Sequence, residues 1–161
     1  MKLALAIRQV SEAEAQLAQE LLSVGERHRT EHDVYHLTRT LAGWSHANVA
    51  ALEPFAERYD AKLDLPRDDD RAGPLSGLRE KTAELLGRRP EPGLLLLHDL
   101  RRLYGLAGEA SINWVILALG AQAAKDVELL QAVSAAHAQN LRVVRWLTTR
   151  IKETAPQVLM S

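Results

Sequence analysis

Glu14, Glu109 and His137 are the residues whose types and spacing could do chemistry in this chain. Each falls near the middle of a long run with helical apolar spacing, and each is read as pointing inward. Two carboxylates and an imidazole converging in an apolar interior can hold a divalent metal. They can equally form a hydrogen-bonded polar set, because a buried charge without partners costs on the order of several kcal/mol. Ser45, Asn48 and Ser134 lie on the same stripes and could supply further partners, with Asn48 and Ser134 as accessory metal contacts.

Four long helices, at about 2–28, 31–53, 94–120 and 124–153, are expected to position these groups. In the first, Leu3, Ile7, Val10, Leu17, Leu21 and Val24 form a 3-4 stripe that Glu14 interrupts. Ser11 and Glu14 have capping-box spacing, but the stripe continues upstream of Ser11, so the helix is read as starting earlier. Thr30 is taken as the cap of the second helix, whose stripe is Val34, Leu37, Leu41, Trp44, Asn48 and Leu52, and Pro54 ends or kinks it. Residues 60–92 are rich in Asp, Pro and Gly and read as a long crossover, with one short helix at 78–87. The third helix, with Leu95, Leu103, Leu106, Ala110, Ile112, Trp114, Ile116 and Leu117, is apolar nearly all round. The fourth carries Val127, Leu130, Leu141, Val144 and Ile151, with Ser134 and His137 in line, and is expected to end at Ala155-Pro156.

At about 1.5 Å per residue, Glu14 lies roughly 21 Å below the top of the first helix and Glu109 roughly 22 Å below the top of the third. Ser45 and Asn48 lie about 21–26 Å down the second, and His137 about 20 Å up the fourth, so all meet near the midplane. The two halves repeat a pattern: Glu14 then Ser45-x-x-Asn48, and Glu109 then Ser134-x-x-His137. This arrangement resembles the ferritin-like di-iron superfamily, in which two helices give one Glu each and two give Glu-x-x-His. The resemblance implies an all-α, ferritin-like four-helix bundle spanning residues 1–161 as one domain, with the long crossover between helices two and three. By position, Glu14 and Glu109 match the single glutamates and His137 one motif histidine. Asn48 stands in place of the other histidine, and Ser45 and Ser134 in place of both motif glutamates. Of about six ligands, three remain, so the resemblance implies at most a single divalent metal (Fe, Mn or Zn) rather than oxygen chemistry or iron storage.

Other clusters read as structural. His32 and His36 share a helical face that could bind zinc, with a solvated helix end as the ordinary alternative, and the turn at Thr30 separates them from His28. His98 and Asp99 are expected to pair with Arg142 or Arg145. Trp44, Trp114 and Trp146 read as core, although Trp114 and Trp146 could also serve a dimer contact. Asp68 to Asp70 read as a solvated turn.

Composition narrows the classes. There is no cysteine, which removes disulfides, thiol catalysis and Cys-ligated metal. A net charge of -1 gives no general attraction to nucleic acid or anionic membrane. The longest uncharged run, Ala110 to Ala124, is shorter than the ~20 residues of a membrane span, and the N-terminus lacks a secretory pattern. The expectation is therefore a soluble, cytoplasmic helical bundle, non-catalytic, with a structural polar cluster at its centre. The alternative is a ferritin-like protein holding metal through Glu14, Glu109 and His137, in metal handling or redox. The apolar third helix suggests a homodimer.

Overall fold

The computed structural model describes residues 2–63 and 91–161. Helix α1 spans Leu3–Arg27, α2 His32–Ala50, α3 Glu53–Arg58, α4 Pro92–Ala123 and α5 Val127–Leu159. Among the described residues there is no strand. The short helix expected at 78–87 and the Asp68 to Asp70 turn lie outside them, as does most of the connection between α3 and α4.

Pairing is clearest between α1 and α2, α4 and α5, and α1 and α4, whereas α2 meets α5 only sparingly. Contacts at the two ends set the directions. At the end holding the α1–α2 turn, His28, the residue that follows α1, bonds Asp99 near the start of α4. At the opposite end, a Cβ on Gly120 of α4 would meet Leu3 of α1 at 2.7 Å. So α1 and α4 are antiparallel, and α2 and α4 run the same way.

The core has two apolar halves. One gathers Leu17, Leu21, Val24, Val34, Leu41, Leu100, Leu103, Val143 and Leu147. The other gathers Ile7, Val10, Leu52, Phe55, Trp114, Leu117, Leu129 and Val133. Between them in chain register stand buried Glu14, Ser45, Asn48 and Asn140, a polar belt across the bundle.

Helix ends show local physics at work. Helix α1 starts upstream of Ser11, whose hydroxyl donates to the Arg8 carbonyl from within the helix. Helix α2 is preceded by Glu31, without a side-chain cap bond, so Thr30 is not its cap. Pro54 sits in the first turn of α3, where its missing N–H costs nothing. Helix α4 ends in a Schellman closure: Lys125 has φ 58°, its N–H reaches the Gln122 carbonyl, and the Asp126 N–H reaches Ala121. Asp126 then caps α5 by accepting from the Leu129 N–H at 3.0 Å.

Helix α5 does not stop at Ala155-Pro156 but runs on through Pro156 to Leu159. Pro156 forfeits one bond, to the Lys152 carbonyl, and the packing of the last turns offsets it: Thr154 is buried, and a Cβ on Gly93 would sit 2.8 Å from Val158 Cγ2.

Candidate functional site

The inward stripe of α1 is as its spacing predicts, and it brings Glu14 into the belt at 1% exposure. The Trp114 indole Nε1 of α4 donates to Glu14 Oε1 at 2.6 Å. Ser45 of α2 and Asn140 of α5 also hydrogen-bond the Glu14 side chain. One carboxyl on α1 is thereby tied to each of the other three long helices. Burial pushes its pKa up, and the bonds from Ser45, Trp114 and Asn140 pull only partly back. Asn140 Nδ2 also lies 3.4 Å from the Ala107 carbonyl, while Asn140 Oδ1 is buried with no hydrogen-bond partner among the described residues. Asn48 is buried one helical turn beyond Ser45.

Glu109 and His137 stand elsewhere. Glu109 is exposed, Ser134 is exposed, and His137 is half-buried with its Nε2 3.0 Å from Ser111 Oγ. The cause is rotation of the two helices. On α4 the buried stripe is Leu96, Leu100, Leu103, Ala107, Ala110, Trp114, Leu117 and Ala121. Glu109 precedes Ala110 by one residue and so points about 100° away. A helix apolar on most sides does not fix its own rotation. Packing selects the face on which Ala107 and Ala110 are small and Trp114 reaches Glu14.

On α5 the buried stripe is Leu129, Val133, Ala136, Asn140, Val143 and Leu147. That is one residue out of phase with the expected Leu130, His137, Val144 and Ile151, which become a half-buried flank, while Val127 and Leu141 are exposed. Trp114 and Asn140 were missed as site residues. The available signal was their register: both lie on complete 3-4 stripes of their helices, at the level of Glu14.

The donor set in the belt does not fit a di-iron centre. Such a centre takes about six carboxylate and imidazole ligands. The belt provides one carboxylate, two amides, a hydroxyl and an indole that can only donate. Among the described residues, no group of three or more His, Asp or Glu is arranged to hold a metal ion.

A second polar cluster ties the end of α1 to α4. Asp99, 2% exposed, accepts from Arg27 Nε at 3.1 Å and Arg27 Nη2 at 3.2 Å, and its Oδ2 lies 2.8 Å from His28 Nε2. Glu20 joins Arg27 at 3.2 Å to Arg102 at 3.3 Å. Asp99 thus pairs with α1, not with Arg142 or Arg145, and His98 is exposed. Burial pushes the Asp99 carboxyl up, but the bonds from His28 and Arg27 outweigh it and hold its pKa below the usual range. His32 and His36 are both exposed. At the other end, Asp126 accepts from the Tyr59 hydroxyl at 2.7 Å and from Arg58 at 2.9 Å, which pins α3 to the α4–α5 turn. A hollow of about 440 Å³, lined by Glu53, Pro54, Glu57 and Leu63, lies beside α3 and apart from the belt.

In comparisons with known proteins, no family model, curated protein or solved structure matches the chain.

Proposed function

We propose that this chain is a non-catalytic, ferritin-like helical scaffold whose central carboxyl, Glu14, is a structural lock. The observation that carries the reading is the set of partners around Glu14: an indole, a hydroxyl and an amide, one from each of the other long helices. All three are neutral donors. They satisfy a carboxyl, and the one nucleophile type among them, the Ser45 hydroxyl, is 2% exposed and shut away from any substrate. Trp114 takes up one Glu14 oxygen with an N–H that can only donate. The polar belt sets register. Sliding α1 by a turn would take Glu14 from all three partners, and sliding any other long helix would take one of them; each donor lost leaves a buried acceptor unsatisfied, a penalty of about 1–3 kcal/mol.

The Glu14→Gln variant tests the lock. It keeps shape and acceptor oxygen, so it should fold with wild-type helicity and equal or higher stability at pH 7. A large loss of stability together with loss of bound metal would overturn the reading.

The competing reading is a single divalent metal on Glu14, Glu109 and His137. It requires Glu109 to leave solvent and His137 to release Ser111. Elemental analysis of protein purified without chelator separates the two. Stoichiometric iron, manganese or zinc that is lost in Glu14→Gln would favour the metal.

A further inference from the structure

The outward face of α4 carries a row of residues that is symmetric about its own centre. Gly105, Gly108, Ile112, Ile116 and Leu119 lie at offsets of -7, -4, 0, +4 and +7 from Ile112. At about 100° per residue all five fall within about 40° of Ile112 around the helix. The buried residues Leu103, Ala110, Trp114, Leu117 and Ala121 lie on the opposite side. Ile112, Ile116 and Leu119 are 55%, 48% and 61% exposed, and a Cβ on Gly105 or Gly108 would meet nothing within 4 Å. From Leu103 to Ala124, Glu109 is the single charged residue. A contiguous apolar strip of this kind on a folded domain marks a contact surface.

We propose that this strip is an isologous interface in which α4 of a second copy of the chain packs antiparallel, with the two-fold axis at Ile112. An antiparallel pair about that point sets residue i against residue 224 minus i. It places Leu119 of one copy over Gly105 of the other, Ile116 over Gly108, and Ile112 against itself. Large side chains thus enter the gaps left by glycines, at both ends at once, as knobs enter holes. A parallel pair would set glycine against glycine and leucine against leucine, without that fit.

Charge agrees with the same register. Arg101, exposed and on the same strip, is set against Ala123 of the second copy. The last turn of α4 has no basic residue of its own, so the incoming guanidinium meets the negative end of a helix dipole. Glu109 falls about 60° to the side, at a solvated rim.

Helix α4 is also long and apolar enough to cross a membrane, by length and composition only. Lipid is therefore the rival occupant of this face, and the test must distinguish it. The chain has no cysteine, so single cysteines can be introduced without a background. Full-length Ile112→Cys should form a disulfide dimer on mild oxidation. Leu119→Cys alone should not, because its two copies stand about 21 Å apart along the axis, well beyond disulfide reach. A mixture of Gly105→Cys and Leu119→Cys protein should form the mixed dimer.

By sedimentation equilibrium at tens of micromolar, the unmodified chain should have twice its 17.9 kDa mass. Ile112→Asp should return it to one chain mass with helicity retained. A monomeric unmodified chain, or Leu119→Cys cross-linking to itself as readily as Ile112→Cys, would overturn the proposal. So would binding of the unmodified chain to phosphatidylcholine vesicles that Ile112→Asp abolishes. Should Ile112→Asp fail to fold, the three cysteine variants, with milder changes, decide the matter.

Discussion

Trp114 Nε1 and Glu14 Oε1, 2.6 Å apart, join α4 to α1 at the level where the two apolar halves of the core meet. The bond is short because the acceptor is a carboxyl shielded from water, where a hydrogen bond is electrostatically stronger than in solvent. Replacing Trp114 by Phe removes the donor and leaves a small void. Urea unfolding at pH 7 should show a loss of about 2–4 kcal/mol, combining an unsatisfied acceptor with a cavity. A change below about 0.5 kcal/mol, within the usual range of a surface substitution, would show that the bond does not hold the core.

The pH dependence of stability should report Glu14 directly. Burial raises its pKa above the ordinary 4.5, so the folded chain keeps this proton to higher pH than the unfolded chain does. Between 4.5 and the raised value the folded state binds more protons, and stability falls as pH rises. Glu14→Gln should flatten that limb of the profile. Thermal melts from pH 4 to 9 on both proteins check this, and an equal slope in both would refute it.

The acid limb has the opposite sign. Asp126 is held down to about 2 by the Tyr59 hydroxyl, the Leu129 N–H and Arg58, and Asp99 is held below its usual value by His28 and Arg27 against the push of burial. Their contributions are fully present above the ordinary 3.8 and are lost as pH falls from there through the lowered values. At pH 7, Asp99→Asn should cost about 1–3 kcal/mol, since Arg27 keeps Glu20 as a partner. Its acid limb should be shallower than that of the unmodified chain, as guanidinium melts between pH 2 and 5 would show.

Lys125 closes α4 with φ 58°, a left-handed position that favours glycine. Lys125→Gly should raise stability by about 0.5–1 kcal/mol, read as a few degrees in Tm. A fall in Tm would mean that the side chain has a role its exposure does not suggest.

The number of long helices, their approximate spans and the inward position of Glu14 were legible in the residues. On α1 the apolar and polar faces are sharply divided, so one stripe has one possible orientation. Asn48 and Ser45 were expected inward on α2 and both are buried, although the division there is less sharp: Leu37 of the same stripe is exposed and Trp44 half-buried. The partners of Glu14 on α4 and α5 were not legible. Helix α4 is apolar on several faces, and α5 carries two adjacent apolar stripes one residue apart, so neither sequence states which face turns inward. A rotation of about 100° exchanges Glu109 for Ala110 and His137 for Ala136 at the interior.

What the sequence by itself determined is therefore the set of long helices with their approximate spans, and one buried acid that must find donors. What only the tertiary structure decided is how α4 and α5 are turned about their axes. Fitting Trp114 and Asn140 against Glu14 satisfies a buried carboxyl and fills the core in one arrangement. Turning Glu109 and His137 inward would have brought more charge into the core and taken Trp114 and Asn140 away from Glu14.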